Sequence, residues 1–138
     1  GGEMSGHIFF NDRWPGFDDG IYAGARILEI IAESKDNNVF STIPKIVSTP
    51  EINISAADEK KFNIVEEFIK NSVFVDANIV DIDGIRVEFS KGWGLLRASN
   101  TSPFLVLRFE AETDIDLEEI KNIFYENLKN IMNDLEKF

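Results

Sequence analysis

The chain has 138 residues, 43% of them hydrophobic and 28% charged, as in one ordinary globular domain or two small ones. Its formal net charge of −11 argues against a nucleic-acid-binding surface, and no apolar run approaches the ~20 residues that a membrane-spanning helix needs. Because the sequence contains no cysteine, disulfides and thiolate chemistry are excluded, and a reducing compartment is favoured. We therefore expect a cytoplasmic protein that binds neither nucleic acid nor membrane.

The first 50 residues combine a polar segment, an amphipathic helix and a linker. Apolar residues recur at helical spacing at Ile21, Ala25, Leu28 and Ala32. Asp18 or Asp19 would cap this helix, since a carboxylate accepts hydrogen bonds from free backbone N–H groups. Pro44 and Pro50 favour an extended connection, which predicts a domain boundary near Pro50.

Residues 51–138 read as strands and two helices. One helix is predicted over Asp58–Lys70 and another over Asp116–Lys137, where Asp116 and Glu119 resemble a capping box. The apolar stripe of the first of these helices is predicted to be Phe62, Val65 and Ile69. The order is then β-α-β-β-β-α, a four-stranded sheet with both helices on one face. The fold class is therefore α+β, with this domain preceded by a partial α/β domain.

Two details of the predicted sheet can be tested against the structure. Asp83-Gly84 indicates a two-residue hairpin turn in which both positions favour positive φ. In the last strand, Leu105, Leu107, Phe109 and Ala111 share one face by alternation. Arg108 lies on the other face with Glu110 and Glu112, which favours an ion pair for its guanidinium.

The segment RASNTSP, residues 97–103, gathers a cation, hydroxyls and an amide between two apolar runs of an acidic chain. A guanidinium at Arg97 matches phosphate oxygens, while Ser99, Asn100 and Thr101 add donors. Hydrogen bonds to a charged group stabilise by about 1.5–3 kcal/mol each, so three or four could hold one phosphate. The alternative is an ordinary polar turn in which Arg97 pairs with a carboxylate. The residues leave both interpretations open.

The segment GGEMSGH at the start of the chain is the second polar motif. If it is extended, Glu3, Ser5 and His7 point the same way, and such a set could bind sugar hydroxyls. The alternative is a solvated strand with an incidental histidine. Spacing alone does not separate the two.

Both motifs resemble a known family. GGEMSGHIFF with RWPGFDDGIYAGARILEI resembles the sugar-binding segment of the α-D-phosphohexomutases, and KGWGLLRASNTSPFLVLRFEAET is similar to their phosphate-binding segment. Phosphoglucosamine mutases typically have Gln where Met4 stands and Gly where Asn100 stands. The resemblance is therefore to the bacterial phosphomannomutase/phosphoglucomutase type.

The resemblance implies roles for the motif residues. It assigns sugar hydroxyls to Glu3, Ser5 and His7, and the non-reacting phosphate to Arg97, Ser99, Asn100 and Thr101. It implies a parent isomerase that interconverts hexose 1- and 6-phosphates of glucose or mannose with Mg²⁺. A phosphoserine gives its phosphoryl group to the sugar, and glucose or mannose 1,6-bisphosphate then turns over and returns the other.

The chain also departs from that pattern. We find neither the Thr-Ala-Ser-His-Asn-Pro-like motif of the nucleophile nor the Asp-Gly-Asp-Gly-Asp-Arg-like magnesium loop, and we interpret Asp81-Ile-Asp83-Gly84 as a turn. We therefore expect an inactive C-terminal fragment whose partners include the N-terminal domains of its parent. Residues 1–50 would be the end of the third domain and residues 51–138 the phosphate-binding domain. The alternatives are a stand-alone phosphosugar-binding or regulatory module and an α+β domain without a ligand.

Overall fold

The computed structural model of the chain describes residues 1–3, 6–34 and 39–138. These residues form two compact units, Gly1–Pro44 and Lys45–Phe138. The second unit begins before Pro50 because Val47 and Ser48 already pair with its sheet. The predicted boundary near Pro50 therefore lies a few residues inside this unit.

The first unit is organised around the helix α1, Gly20–Glu33. Asp19 caps it, because its carboxylate accepts from the N–H groups of Ile21 and Tyr22 at 2.9 Å. Trp14 stacks on the Tyr22 ring with 4.3 Å between ring centroids, which fastens the preceding loop to the helix. A 3-10 turn follows at Val39–Thr42.

The second unit is an antiparallel sheet covered by two helices. Its strands are β1 (Val47–Ser48), β2 (Ile52–Ser55), β3 (Asn78–Val80), β4 (Ile85–Phe89), β5 (Gly92–Ala98) and β6 (Phe104–Ala111). Its helices are α2 (Asp58–Asn71) and α3 (Asp114–Lys129). The strand order is β1-β6-β5-β4-β3, and β2 also pairs with β6. The α+β class is thus confirmed, but the sheet has six strands rather than four.

The additional strands have simple causes. Four consecutive strands follow α2, whereas the predicted order counts three, because the first arm of the hairpin predicted at Asp83-Gly84 is itself the short strand β3, which pairs with β4 from Asn78 to Val80. At the other side of the sheet, β1 and β2 lie one after the other along the same edge of β6. Between them Thr49 stays bonded to Phe109, because its N–H donates to the Phe109 carbonyl at 3.0 Å and its Oγ1 accepts from the Phe109 N–H at 3.1 Å. Pro50, which has no N–H, separates the two strands.

The core lies between the sheet and the helices. Leu105, Leu107, Phe109 and Ala111 are buried together, as the alternation predicts. Both helices contact β5 and β6, and they contribute the fully buried rings of Phe68 and Phe124. A Cβ at Gly94 would lie 2.5 Å from the Phe124 ring, so the aromatic core requires glycine there. The opposite face of the sheet carries Arg97.

The prediction for α3 is wrong at both ends. Thr113 caps the helix, because its Oγ1 accepts from the Asp116 N–H at 3.2 Å and donates to the Asp116 carboxylate at 2.5 Å. The helix ends at Lys129 rather than Lys137. The last residues turn back so that Phe138 stacks on Phe109, with 5.9 Å between ring centroids. Burial of this terminal ring takes the place of a longer helix.

The hairpin at Asp83-Gly84 is confirmed, but its turn is not of the predicted type. Val80 pairs with Arg86, and residues 81–84 connect β3 to β4. Gly84 has a φ of +79°, whereas Asp83 is not among the residues with positive φ in the described chain. Because β4 starts only at Ile85, the connection is longer than a two-residue turn with positive φ at both positions.

We expect amide exchange to be unequal between the two units. Within the described residues, every buried hydrophobic residue except Ala23 lies in the second unit. A unit with so little buried apolar surface opens at a lower free energy, so the α1 amides should exchange at least roughly tenfold faster than those of β5 and β6. Hydrogen exchange followed by NMR on the intact chain measures this ratio. Equal protection in α1 and β6 would contradict it.

Candidate functional site

The RASNTSP segment begins on β5 and turns into β6 at one end of this central strand pair. The Ser99 N–H donates to the Phe104 carbonyl at 2.9 Å, which closes residues 99–104 into a loop. Within it, the Phe104 N–H donates to the Ser102 carbonyl at 2.8 Å. We call residues 99–103 the polar loop. Its backbone is held at both ends by the strands that it joins.

The Ser99 side chain folds back on the polar loop. Its Oγ accepts from the N–H groups of Thr101 at 3.4 Å and Ser102 at 3.2 Å. Such a hydroxyl turn is typical of serine and leaves the O–H proton available to another acceptor. Ser99 therefore orders the loop and still offers a donor.

Three polar side chains of the segment have no partner within the described parts of the chain. Arg97 forms no ion pair or hydrogen bond there, and the same holds for the side chains of Asn100 and Thr101. Asn100 and Thr101 are exposed, and Arg97 is half-buried. The ion pair that would make Arg97 an ordinary turn residue is thus not formed with any described carboxylate. A guanidinium, an amide and hydroxyls are left for an external acceptor.

Arg108 differs from its predicted role. No described carboxylate pairs with it, and its Nη1 is buried without a hydrogen-bond partner in this part of the chain. Glu110, a predicted partner, instead accepts from the Trp93 Nε1–H at 3.3 Å. By register, Arg97 pairs with Val106 and Leu95 with Arg108, so the two arginines are diagonal neighbours on the open face of the sheet. The alternation of β6 already places Arg108 on the face opposite the core, but the glutamates on that same face favour an ion pair.

Helix α2 contacts the polar loop through Lys61, which the sequence reading missed. The Lys61 Nζ donates to the Ser102 carbonyl at 3.0 Å and to the Asp58 carboxylate at 2.7 Å. Nearby, the Ala56 N–H donates to the Pro103 carbonyl at 2.9 Å. The helix in fact buries Lys61, Val65 and Phe68, whereas Phe62, predicted to point inward, is 49% exposed. A lysine inside an otherwise apolar stripe was the available signal.

The turn between β3 and β4 packs closely against the backbone of Leu96 and Arg97. A Cβ built on Gly84 would lie 2.3 Å from the Leu96 carbonyl oxygen and 2.6 Å from the Arg97 Cβ. Any side chain at this position would therefore displace the backbone that carries the guanidinium. Gly84 is required both by its positive φ and by this close approach.

Replacing Gly84 by alanine should destabilise the second unit and move Arg97. The added methyl group meets backbone rather than a flexible side chain, so we expect a loss of about 2–4 kcal/mol in the free energy of unfolding. Urea titration measures the loss. Gly24→Ala is the matched control, since nothing lies within 4 Å of a Cβ there. A Gly84→Ala chain as stable as the wild type would refute the close packing.

The described residues at the N-terminus pair as a hairpin, whereas the shared side expected for Glu3, Ser5 and His7 assumes an extended segment. The Glu3 N–H donates to the His7 carbonyl at 2.8 Å, and Gly2 bridges to Ile8. Gly6, with a φ of +90°, lies in the turn. Glu3 and His7 are consequently opposite each other on the two arms of the hairpin. Residues in opposite positions of an antiparallel pair have neighbouring side chains. Ser5, the third predicted residue, lies outside the described residues.

Asp18 orients the His7 ring. Its Oδ2 lies 2.5 Å from His7 Nδ1, and its Oδ1 accepts from the Ile8 N–H at 3.1 Å. This hydrogen bond raises the pKa of His7 and lowers that of Asp18. With Nδ1 bound to the carboxylate, Nε2 is the nitrogen directed to other partners.

The pair predicts a pH dependence that can be read from a single residue. His7 is the only histidine, so NMR titration of its ring should give a pKa above the ordinary 6.5, and Asp18→Asn should return it towards 6.5. Since the folded pKa is raised, the stabilisation of the first unit is full below 6.5 and is lost as the pH rises through the His7 value. The Asp18 contribution is lost as the pH falls through its lowered pKa. An unshifted histidine in the wild type would contradict the contact.

Two further features bear on the class of protein. The described residues contain no group of three or more His, Asp or Glu side chains that could hold a metal ion. None of the described helices has the length and apolar character needed to cross a bilayer.

Comparison with known proteins matches both halves of the chain to one family. Residues 51–127 match the model of the phosphoglucomutase/phosphomannomutase C-terminal domain, and residues 1–48 match that of the alpha/beta/alpha domain III. The chain is 55% identical over 137 residues to a phosphomannomutase/phosphoglucomutase of Pseudomonas syringae pv. tomato, covering 98% of the chain and 30% of that protein. It is 52% identical over 126 residues to a phosphoglucomutase of Neisseria gonorrhoeae, covering 89% of the chain and 27% of that protein.

A solved structure gives the same result. The crystal structure of a phosphoglucomutase/phosphomannomutase family protein from Burkholderia thailandensis superposes with a TM-score of 0.85 at 44% identity, covering 99% of this chain and 29% of that one. The chain thus spans roughly three-tenths of the length of these relatives. It belongs to the phosphoglucomutase/phosphomannomutase family and carries sequence of domain III and of the C-terminal domain.

Proposed function

We propose that this chain is the substrate-recognition part of a phosphomannomutase/phosphoglucomutase. The whole protein interconverts hexose 1-phosphates and 6-phosphates in the cytoplasm through a phosphoserine and a bisphosphorylated sugar. The polar loop with Arg97 binds the phosphate that is not reacting. Without a nucleophile of its own, the chain binds hexose phosphate and does not turn it over.

One observation carries the phosphate assignment. On a chain of net charge −11, Arg97, Asn100 and Thr101 have no partner among the described residues, although Asp and Glu side chains are abundant. A guanidinium that stays unpaired on so acidic a protein is suited to an anion from outside. Ser99 adds its hydroxyl proton, and the loop backbone is already ordered before any ligand arrives.

The strength of such a site follows from the number of donors. Hydrogen bonds to a charged group stabilise by about 1.5–3 kcal/mol each, and association itself costs at least about 4 kcal/mol. Four donors therefore leave a net of about 2–8 kcal/mol, which corresponds to a Kd between roughly 1 μM and tens of millimolar. Such modest affinity suits a ligand that must be released in either orientation, since glucose or mannose 1,6-bisphosphate has to turn over between the two phosphoryl transfers.

We assign the sugar hydroxyls to Glu3, Ser5 and His7. A carboxylate accepts from two adjacent hydroxyls, and the His7 ring, fixed at Nδ1 by Asp18, presents Nε2 in a defined direction. The Glu3 and His7 side chains lie opposite each other on the hairpin, as a clamp on one hydroxylated ring would require.

Magnesium and the phosphoserine belong to the proposed parent. The described residues offer no group of three or more carboxylates or imidazoles for a divalent cation. The phosphate at the polar loop is the distant one, and its binding energy is used to align the sugar for chemistry elsewhere. The domains that supply that chemistry are the proposed partners of this chain.

A stand-alone phosphosugar-binding module remains the second candidate, because the described residues carry donors for a ligand but no metal cluster. The two proposals share the same loop and differ in what precedes it in the gene. Sequencing the transcript upstream of Gly1 separates them. A reading frame that continues through a serine nucleophile and a carboxylate-rich metal loop supports the enzyme.

Replacing Arg97 by alanine should abolish most phosphate affinity. Loss of a charge-assisted contact corresponds to an increase in Kd of about 10–100-fold. NMR titrations of labelled chain with glucose 1-phosphate, mannose 1-phosphate and inorganic phosphate measure this change at the amides of residues 97–101. Amide shifts at Glu3 and His7 in the sugar phosphate titrations, but not with inorganic phosphate, test the sugar assignment separately.

Lys129→Ala is the matched control for charge, since it removes one cation from the end of α3 in the same unit. It should leave the Kd within about a factor of two, because Lys129 is exposed and forms no hydrogen bond or ion pair with the loop in the described chain, so it can act only through a potential that salt screens. If Arg97→Ala and Lys129→Ala weaken binding equally, the loop is not a specific site. If millimolar ligand moves no amide of residues 97–101 in the wild type, the proposed function is wrong for this chain.

A further inference from the structure

Lys61 is an unusual residue for the interior of this domain. Its side chain is only 4% exposed, and it lies on the buried face of α2 together with Val65 and Phe68. Lysines are almost never fully buried unless paired, because removing an ammonium group from water is costly. The buried position therefore needs a compensating interaction.

The ion pair with Asp58 does not by itself explain the burial. Asp58 lies one turn earlier on α2, and its side chain is 67% exposed. A lysine could form this pair equally well from the helix surface, where such pairs add only about 0.2–0.5 kcal/mol. A methionine at residue 61 would fill the same space without any charge. The contact that requires the buried ammonium is the one to the polar loop.

That contact joins parts of the chain 41 residues apart. The Lys61 Nζ donates to the Ser102 carbonyl at 3.0 Å, and the same carbonyl accepts from the Phe104 N–H at 2.8 Å. Two donors therefore fix the orientation of the Ser102 peptide group. The N–H of Ser102 belongs to the preceding peptide group and bonds to the Ser99 Oγ, so a backbone rotation at Ser102 would be passed on to the side chain of Ser99.

We propose that Lys61 is a positioning residue for the phosphate-binding loop. Its hydrogen bond to the Ser102 carbonyl fixes the orientation of that peptide group. Ser99, Asn100 and Thr101 therefore keep one arrangement before phosphate binds. This role rests on the proposed function of the loop. Because Asp58 neutralises the ammonium at 2.7 Å, Lys61 acts by its hydrogen bond rather than by adding positive potential.

Lys61→Met in this chain tests the role. Loss of the hydrogen bond from α2 to the Ser102 carbonyl should raise the Kd for inorganic phosphate and glucose 1-phosphate about three- to tenfold. The amides of residues 99–104 should also exchange faster. Lys61→Arg, which keeps a donor and a charge, should recover at least part of the affinity. Asp58→Asn tests whether Lys61 acts through its charge or through its hydrogen bond. The variant keeps the Lys61 donor but removes the negative charge beside it.

Val65→Ala is the control for stability. It removes buried volume from the same helix but makes no bond to the loop, so it should lower the Tm and leave the phosphate Kd within about a factor of two. Should Lys61→Met not fold, Lys61→Gln takes its place, since its shorter side chain cannot keep the bond to Ser102.

The outcomes separate the two claims. If the wild type binds no phosphate, the proposed function fails and the role of Lys61 fails with it. If the wild type binds and Lys61→Met or Lys61→Gln binds equally well, the positioning role is overturned while the function stands. If Asp58→Asn tightens phosphate binding several-fold, Lys61 acts by charge and the proposed role is also overturned. Weaker binding in Lys61→Met, with unchanged binding in Val65→Ala and Asp58→Asn, supports it.

Discussion

The pairing of β5 with β6 is the interaction on which the second unit depends. It runs without a break from Gly92 opposite Ala111 to Ala98 opposite Leu105. Every other part of the sheet adds to this pair, since β4 extends β5 while β1 and β2 extend β6. Both helices pack on it as well. The polar loop is the direct continuation of these two strands, so the most strongly held element of the fold also determines where the loop lies.

The alternation of the two strands separates stability from chemistry. Residues that point to the helices, such as Leu96, Leu107 and Phe109, are fully buried and supply the burial energy. Residues that point the other way include Arg97 and Arg108, which have no described ionic partner. A single backbone thus carries a core on one side and unpaired guanidinium groups on the other. Substitutions on the open face can change recognition at little expense to the core.

The periodic parts of this architecture could be predicted from the sequence. Alternation in β6 and helical spacing in α1 and α2 gave those elements within a few residues, because each depends on a local pattern repeated several times. Two of the failures have a different cause. The end of α3 depends on Phe138 finding Phe109, and the exposure of Phe62 depends on where α2 rests on the sheet. Neither contact is local, so no window of sequence contains it.

The candidate site also combines residues that are close in the sequence with contacts from remote parts of the chain. Arg97, Ser99, Asn100 and Thr101 lie within five residues of one another, and the proposal that they bind phosphate comes from a resemblance of motifs. Their supports are remote: Lys61 comes from α2 and Gly84 from the preceding hairpin. From the sequence, Glu3 and His7 share a side only if the segment is extended, whereas in the structure a hairpin pairs their backbones. Side-chain chemistry could thus be read directly, whereas the contacts that give it a fixed geometry required the fold.

The charge distribution is compatible with the anion site proposed on so acidic a chain. Residues 92–111, which form the central strand pair and its loop, contain two arginines and one glutamate, whereas α3 alone contains Asp114, Asp116, Glu118, Glu119 and Glu126. At physiological ionic strength charges are screened over about 8 Å, so the acidic helix surface acts mainly on the approach of an anion. Once the anion is in contact, short hydrogen bonds from the loop decide whether it stays. The acidic surface therefore disfavours polyanions, which must meet many charges at once, and is compatible with the small phosphate ester proposed as the ligand.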